Sequence, residues 1–569
     1  MMTSVQAAPR RISPWLVLAL ISIPVFVGSL DLTIVSAFLP EIIIRLQLPV
    51  ETIVNDAAWV VTGYLVAYTA SMLFMGRASD LIGRRRAYLI CIALFMLGSL
   101  MIADVDPEAR RGFSGWLYST AFRLTGARPD PGSIALLAII IGRVVQALGA
   151  GAVVPVSLAL VGDLFPRERR ARPLGVVGAI DTSGWMLGHL YGGMMVALFS
   201  TNSAAFVSLI DGLGLNWPAP DWRTLFWINV PVSALGLVLT LWALRGAQQT
   251  RARGRFDLLG GLLVVGALVS LVVGLGANIE ISATLSTFSQ TGGLPPYAGP
   301  LLALAGILFA AFLIVETRLR DPLYDLRAFR RRGIAMGSLT NIAVGFSLMI
   351  GLVSVPILIN IRIADATELA DAALQVGILL SALTVPMALA AAGGGWLSDR
   401  IGPARAAGLG MALAAIGFLS IATTWTVEVA NGLIAVQMAL VGLGFGLTFS
   451  PVSAAMLNAA DSDKLGAASA LVIIMRMLGM TVGVALLTAL ASSRLTQLAA
   501  AELGQAALDP FAAIETYMRL TVQVLTEIAL LGAAICAIGV IPALRLRDRQ
   551  PVAPAVPQAG GASSAEAKL

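Results

Sequence analysis

Long apolar runs separated by short polar breaks follow one another from Trp15 nearly to the C-terminus. Cutting at the breaks leaves fourteen runs, at 15–39, 56–76, 87–104, 133–164, 173–199, 222–244, 257–278, 298–317, 333–360, 373–397, 404–425, 429–457, 466–492 and 520–544. Each is roughly the 20 residues that a helix needs to cross the hydrocarbon core of a bilayer. With no polar face to offer water, the runs predict an all-α polytopic membrane protein with 14 transmembrane helices. The first run reaches Leu39, too long for the apolar region of a cleavable signal, and reads as an uncut span.

Composition sharpens this picture. Of 569 residues, 58% are hydrophobic and 12% charged, which is a membrane protein rather than a large soluble core. The net charge of +6 is almost all arginine, since Lys464 and Lys568 are the only lysines. These charges gather in the termini and the even-numbered loops, so the positive-inside rule predicts cytoplasmic termini and a multi-pass protein of the cell (inner) membrane. The lipid bilayer, not nucleic acid, is the expected partner of such a chain. Cys91 and Cys536 fall inside apolar runs, where they read as small hydrophobes without a disulfide framework.

One polar break recurs. "GRASDLIGRRR" (76–86) ends span 2, and a thinner copy, "GGWLSDRIGPAR" (394–405), ends span 10. Two six-helix halves separated by two extra helices give that register, and such duplication marks secondary transporters. The expected organisation is a cytoplasmic N-terminus (1–14), an N-terminal six-helix bundle (15–244), a linker with two extra transmembrane helices (245–332), a C-terminal six-helix bundle (333–544) and a disordered cytoplasmic tail (545–569). In the connection 105–132, Phe113, Trp116, Leu117, Ala121 and Leu124 recur at helical spacing, which suits a helix lying in the outer interface. The connection 200–221 suits either the same arrangement or a bulky loop.

The short turn at 76–86 makes spans 2 and 3 antiparallel neighbours. Gly76 and Gly83 permit close backbone approach, and Asp80 can accept hydrogen bonds from a nearby helix N-terminus and from Arg84. Gly76, Asp80, Gly83, Arg84 and Arg85, with Asp399 and Arg400 in the copy, form a candidate conformational latch. A solvated charge run that merely sets topology would explain one copy, but not two in register.

Asp31, Arg143, Asp181 and Arg476 lie deep in spans, where a charge costs about 2.5–3.5 kcal/mol on insertion scales. A carboxylate balanced between burial and a nearby arginine can take and release a proton as a cavity opens, so these four are candidate proton-coupling residues. A static buried ion pair is the alternative for either Asp–Arg combination. Gln437, Gln523 and Glu527 are weaker candidates. In span 5, Gly184, Gly188 and Gly192 recur every fourth residue, beside Gly193, and give a smooth face for helix packing. His189, the only histidine, fits a proton relay or a hydrogen-bonded bundle histidine.

These residues resemble the major facilitator superfamily, whose signature after the second helix is matched by Gly76, Asp80, Gly83, Arg84 and Arg85. "LDLTIVSAFLP" (30–40), "GRVVQALGAG" (142–151) and "DWRTLFWINVP" (221–231) look like signatures of its fourteen-helix drug:proton antiporter branch, and "GWMLGHLYGG" (184–193) does so with His189 where proline is usual. The resemblance makes spans 1 and 4 neighbours lining a cavity. "PPYAGPLL" (295–302), "RLRDPLYDLRAF" (318–329) and "IMRMLGMTVG" (474–483) are similar to actinobacterial triacylglyceride exporters, which work with a periplasmic lipoprotein. Those exporters extend helices 11 and 12 into the periplasm, whereas here only a few residues around "WTVEVAN" (425–431) separate spans 11 and 12.

The resulting expectation is a proton-coupled exporter of hydrophobic small molecules or lipids, with an extracytoplasmic lipoprotein as a further partner. An uptake symporter and a non-transporting receptor on the same scaffold are the alternatives. An enzyme is not expected, because there is no cluster with metal-ligand spacing and no Ser/His/Asp set, and neither lysine sits in a phosphate-loop pattern. No metal or other cofactor is called for.

Overall fold

The computed structural model describes residues 12–46, 59–212, 220–245, 256–274, 297–319, 322, 325–362, 369–506 and 510–546. Most of the expected tail, the basic stretch after Arg245 and the side chains of His189 and Gly193 lie outside the described residues.

The apolar runs become α1 (Pro14–Arg45), α2 (Trp59–Ile82), α3 (Arg84–Ala103), α4 (Pro131–Leu164), α5 (Ala171–Gly212), α6 (Trp222–Ala243), α7 (Leu258–Gly274), α8 (Ala298–Arg318), α9 (Arg332–Asn360), α10 (Leu369–Ile401), α11 (Pro403–Thr424), α12 (Asn431–Ala459), α13 (Leu465–Ala506) and α14 (Pro510–Leu544). Among the described residues, twelve helices are long and apolar enough to cross a membrane. The other two are α7, apolar but only 17 residues, and α5, 42 residues broken by non-helical backbone at Asn202. Large apolar side chains such as Leu389, Val436, Ile307 and Ile538 stand exposed on the outer faces. Water would not tolerate so many, but hydrocarbon does. The chain is a multi-pass integral membrane protein.

The turn after Asp80 shows why its glycines matter. Gly83 has φ 95°, and Gly402, in the same place of the second copy, has φ 86°. Only glycine adopts that backbone without strain, and it lets a span reverse within one residue. Pro403 then opens α11 at the first helical position, where its missing N–H is no loss. At the opposite end, Asp130 caps α4 by accepting from the Ser133 amide at 2.8 Å, and Asp221 with Thr224 forms a capping box on α6.

Packing repeats as the turn does. In the first half α1 packs on α4, α5 and α6, while α4 packs on α2 and α3; in the second half α9 packs on α12, α13 and α14, while α12 packs on α10 and α11. The pairs α3–α6 and α11–α14 complete the match. The halves meet along α2–α13 and α5–α10, which are exchanged by the same eight-helix offset. The extra helices α7 and α8 pack on each other, and α7 leans on α2.

Two stretches differ from the run boundaries. Helix α13 continues to Ala506 and α14 begins at Pro510, so this hairpin projects well beyond the runs ending at 492 and starting at 520. At about 1.5 Å per residue, the 14 added residues of α13 span about 20 Å. Leaving out α7 and α8, these are the eleventh and twelfth helices of the repeat. The projecting pair expected from the resemblance is therefore present, and counting spans without removing the extra pair placed it at the wrong hairpin. Between α3 and α4, the helix Gly112–Thr125 leaves Trp116, Phe122 and Leu124 exposed, as an interfacial helix does. The segment 200–212 is helical, and the non-helical backbone at Asn202 sets its last turns off from the rest of α5 as a short second helix.

Close packing here depends on missing side chains. A Cβ at Gly149 would run into Phe95 and Cys91 backbone on α3, whereas one at Gly178 would meet nothing within 4 Å. Gly149→Val is expected to lower the apparent melting temperature of purified protein, at a cost of about 1–3 kcal/mol from overpacking. Gly178→Val should leave it unchanged, and equal melting of the two variants would contradict this packing.

Candidate functional site

Five helices converge on Asp31 of α1. Arg143 of α4 donates to its Oδ2 at 2.6 Å, and Gln146 of α4 and Asn229 of α6 donate to its Oδ1 at 3.0 and 2.9 Å. Arg143 also donates to Gln146 Oε1 at 2.8 Å, and Gln146 donates to Ser99 Oγ of α3 at 2.9 Å. The ring of Tyr64 on α2 lies 3.7 Å beneath the guanidinium carbon. A buried charge is tolerable when paired and hydrogen-bonded, and the aspartate and arginine here are each only 1% exposed; Asp31 is bonded at both carboxylate oxygens, while Arg143 Nε has no hydrogen-bond partner.

The second charge site spans the halves. Arg476 of α13 stands 3.6 Å from Asp181 of α5, with 19% and 17% of their side chains exposed. Ser29 of α1 donates to Asp181 Oδ1 at 2.5 Å, and the Phe449 ring lies 4.5 Å from the guanidinium carbon. Asp181 thus has one hydroxyl and one loose ionic partner, whereas Asp31 is saturated. This contrast in accessibility separates a sealed network from a partly open pair. Ser29 and Asp31 are two residues apart, so α1 carries both sites on different faces. Thr33 donates to the Trp185 carbonyl at 2.7 Å, and Gly184 and Gly188 let α1 and α5 approach along the same line. Gly192 is buried further along α5.

The candidate latch residues fall at one end of the bundle. Asp80 accepts from the Gly466 and Ala467 amides at 2.8 and 3.0 Å, which are free donors at the N-terminus of α13, and from Arg84 at 3.2 Å. Arg84 also pairs with Asp163 of α4. Gly76 is where α2 comes closest to Gly466 and Ala470, and Arg85 is half-buried beside it. The copy is different: Asp399 is exposed, and Arg400 stacks 3.8 Å from the Trp396 ring. Nearby, Ser450 of α12 donates to the Ala171 carbonyl at 2.5 Å, and Arg170 donates to Asn458 at 3.3 Å. Burial and neighbouring Arg167 push Arg170 down to about 10, so it stays charged at neutral pH. Ser469 donates to the Pro155 carbonyl at 2.6 Å. Among the described residues, every hydrogen bond between the halves lies at this end, and the Asp181–Arg476 pair is the bridge further in.

Sequence reading singled out both aspartates and both arginines but missed Asn229, Ser29, Ser99 and Tyr64. Asn229 had a usable signal, a lone amide in an otherwise apolar run. The weaker candidates stay apart: Gln437 accepts from Trp425 Nε1 at 2.9 Å, and Glu527 pairs with Arg494 at 2.9 Å, both away from these centres.

Duplicated six-helix halves with charged groups at their seam define the class, a membrane transporter. The chain belongs to the major facilitator superfamily, whose sequence profile matches residues 21–367. It is 30% identical over 549 residues to a triacylglyceride transporter of Mycobacterium tuberculosis, covering 93% of this chain and 94% of that protein. It is equally identical over 548 residues to one of Mycolicibacterium smegmatis, covering 93% and 86%. Among solved structures, the proton:xylose symporter XylE shares the fold at a TM-score of 0.52 and 14% identity, covering 92% of this chain and 94% of that one. The human organic anion transporter MFSD10 does so at 0.53 and 14%, covering 93% and 100%.

Asp80→Asn should open the latch. A hydrogen bond to a charged group contributes about 1.5–3 kcal/mol, so losing one favours separation by roughly ten- to a hundredfold. Ala470→Cys, placed in the buried seam, is then expected to react with maleimide faster in the Asp80→Asn background than alone. Cys91 and Cys536 are buried and give little background. Unchanged labelling would leave Asp80 with a topological role only.

Proposed function

We propose that the chain is a proton-coupled exporter of hydrophobic or amphipathic compounds, with bulky neutral lipids of the triacylglyceride kind as its substrate class. It would work in the cell (inner) membrane with both termini, and hence the latch end, cytoplasmic. The observation that carries this reading is the Asp181–Arg476 pair, a partly accessible ion pair between two duplicated halves. The names of the mycobacterial relatives support the lipid class.

The mechanism follows from the electrostatics. With the latch engaged, Asp181 is reached from the far side, where a proton neutralises it and removes its attraction for Arg476. The halves lose that bridge and rock, while Gly184 and Gly188 keep α1 and α5 in contact. Asp31, Arg143, Gln146 and Asn229 form the second charge centre, coupled to the first through α1, and substrate entering between the halves competes with the proton. Arg143 and Arg476 set how readily each aspartate gives its proton back. The latch bonds of Asp80, Arg84 and Asp163 hold one arrangement, and Asp399 and Arg400 act in the other. The projecting α13–α14 hairpin offers a meeting point for an extracytoplasmic lipoprotein.

Proteoliposomes loaded with labelled triacylglycerol and given a pH gradient test the reading. Wild type is expected to move lipid when the gradient is imposed and to stop when a protonophore collapses it. Asp31→Asn and Asp181→Asn keep the side-chain shape, and each should express normally yet fall to the flux of protein-free liposomes. Full gradient-driven transfer in either variant would remove that aspartate from the mechanism, and no flux with wild type would favour a receptor.

A further inference from the structure

Helices α7 and α8 take no part in either charge centre, yet they wall a cavity of about 400 Å³ against the seam between the halves. Its volume lies in the range of about 300–1,000 Å³ typical of ligand pockets. Leu73 of α2, Ala267 and Leu271 of α7, Phe312 of α8 and Leu471 and Met475 of α13 line it, and no lining side chain carries a charged or hydrogen-bonding group. A cavity without polar partners does not hold water and takes up apolar molecules instead. Leu326 and Phe329 of the short helix after α8 close it toward the latch end. Gly306 and Phe309 on its wall are exposed, so it opens on the surface that the membrane covers.

A second, smaller cavity shares Leu268, Leu271, Ile474 and Leu478 with the first and reaches Leu65 and Thr69 of α2. Thr69 adjoins Tyr68, whose ring stacks on Tyr64 under Arg143. An apolar track therefore runs along α7 and α13 from the membrane on the latch side toward the charge centres. Met475 faces the track while the next residue, Arg476, holds Asp181 on the other side.

We propose that this cavity is a lateral loading site for an acyl chain of an uncharged glyceride, taken directly from the leaflet on the latch side. The proposal rests on the lipid-export reading for the identity of the lipid, and it assigns α7 and α8 a role in substrate entry. An uncharged glyceride fits because it has no group that must stay at headgroup level. A phospholipid would have to leave its phosphate outside a lining that offers it nothing.

The test uses full-length protein in liposomes containing a trace of triacylglycerol with a diazirine at one acyl-chain end. After illumination, adducts are mapped by mass spectrometry. They are expected on 264–271 and 471–478, well above those on lipid-facing positions such as Val436, and reduced several-fold by excess unlabelled triacylglycerol. Gly306→Trp fills the cavity from a position where a Cβ meets nothing within 4 Å, and should abolish these adducts. Gly299→Trp, equally unobstructed on the same helix but outside the lining, should leave them intact. Adducts that persist in Gly306→Trp, or that anionic phospholipid displaces and triacylglycerol does not, would overturn the assignment. Asp31→Asn separates the two readings, since it should keep the adducts while losing transport. Wild-type lipid transfer without adducts removes only the loading site, whereas adducts without transfer remove only the export.

Discussion

Charge buried in hydrocarbon must be fully partnered, and that constraint organises this protein. Asp31 could not sit at the middle of α1 without Arg143, Gln146 and Asn229 arriving from two other helices, so the network welds one half together as well as neutralising it. Asp181 and Arg476 meet the same requirement across the halves, with fewer bonds and more exposure. The denser centre ties five helices of one half together. The sparser one joins the halves through a single ion pair, and α1 connects the two centres through Ser29 and Asp31.

The pairing of helices repeats faithfully between the halves, and so do the left-handed glycines Gly83 and Gly402. The hydrogen bonds do not. Asp80 engages the N-terminus of α13, while Asp399 opposite the start of α5 remains exposed. Identical scaffolds with unequal bonds are what a carrier caught in one of its states requires, because the symmetric alternative would leave neither side favoured. The cluster of seam bonds at one end marks that end as closed.

Much of this was legible in the sequence. Apolar runs predicted the all-α class and the order of the helices, since nothing else buries twenty consecutive apolar residues, and the repeated Asp-x-x-Gly turn betrayed the duplication. The deep charges were visible because their cost makes them rare. The extension of α13 to Ala506 was not visible, because "SSRLTQLAAAELGQA" loses hydropathy while keeping strong helix formers, and a span count follows the first property only. Ser29, Ser99 and Tyr64 were missed for a different reason: small hydroxyls and aromatics are common in spans, and only the fold says which ones face a charge. The cavity beside α7 and α8 was equally hidden, being a property of spacing between helices rather than of any one residue.

The two extra helices thus wall an apolar cavity against the seam between the halves. What unites these parts is the claim that the Asp181–Arg476 bridge governs how the halves stand. Spin labels at Met194 on α5 and Leu490 on α13, both exposed, measure that directly by pulsed distance spectroscopy. The account predicts a second distance population on acidification in wild type, and a distribution independent of pH in Asp181→Asn. A distribution that ignores pH in wild type, or that still responds to it in the variant, would contradict the account.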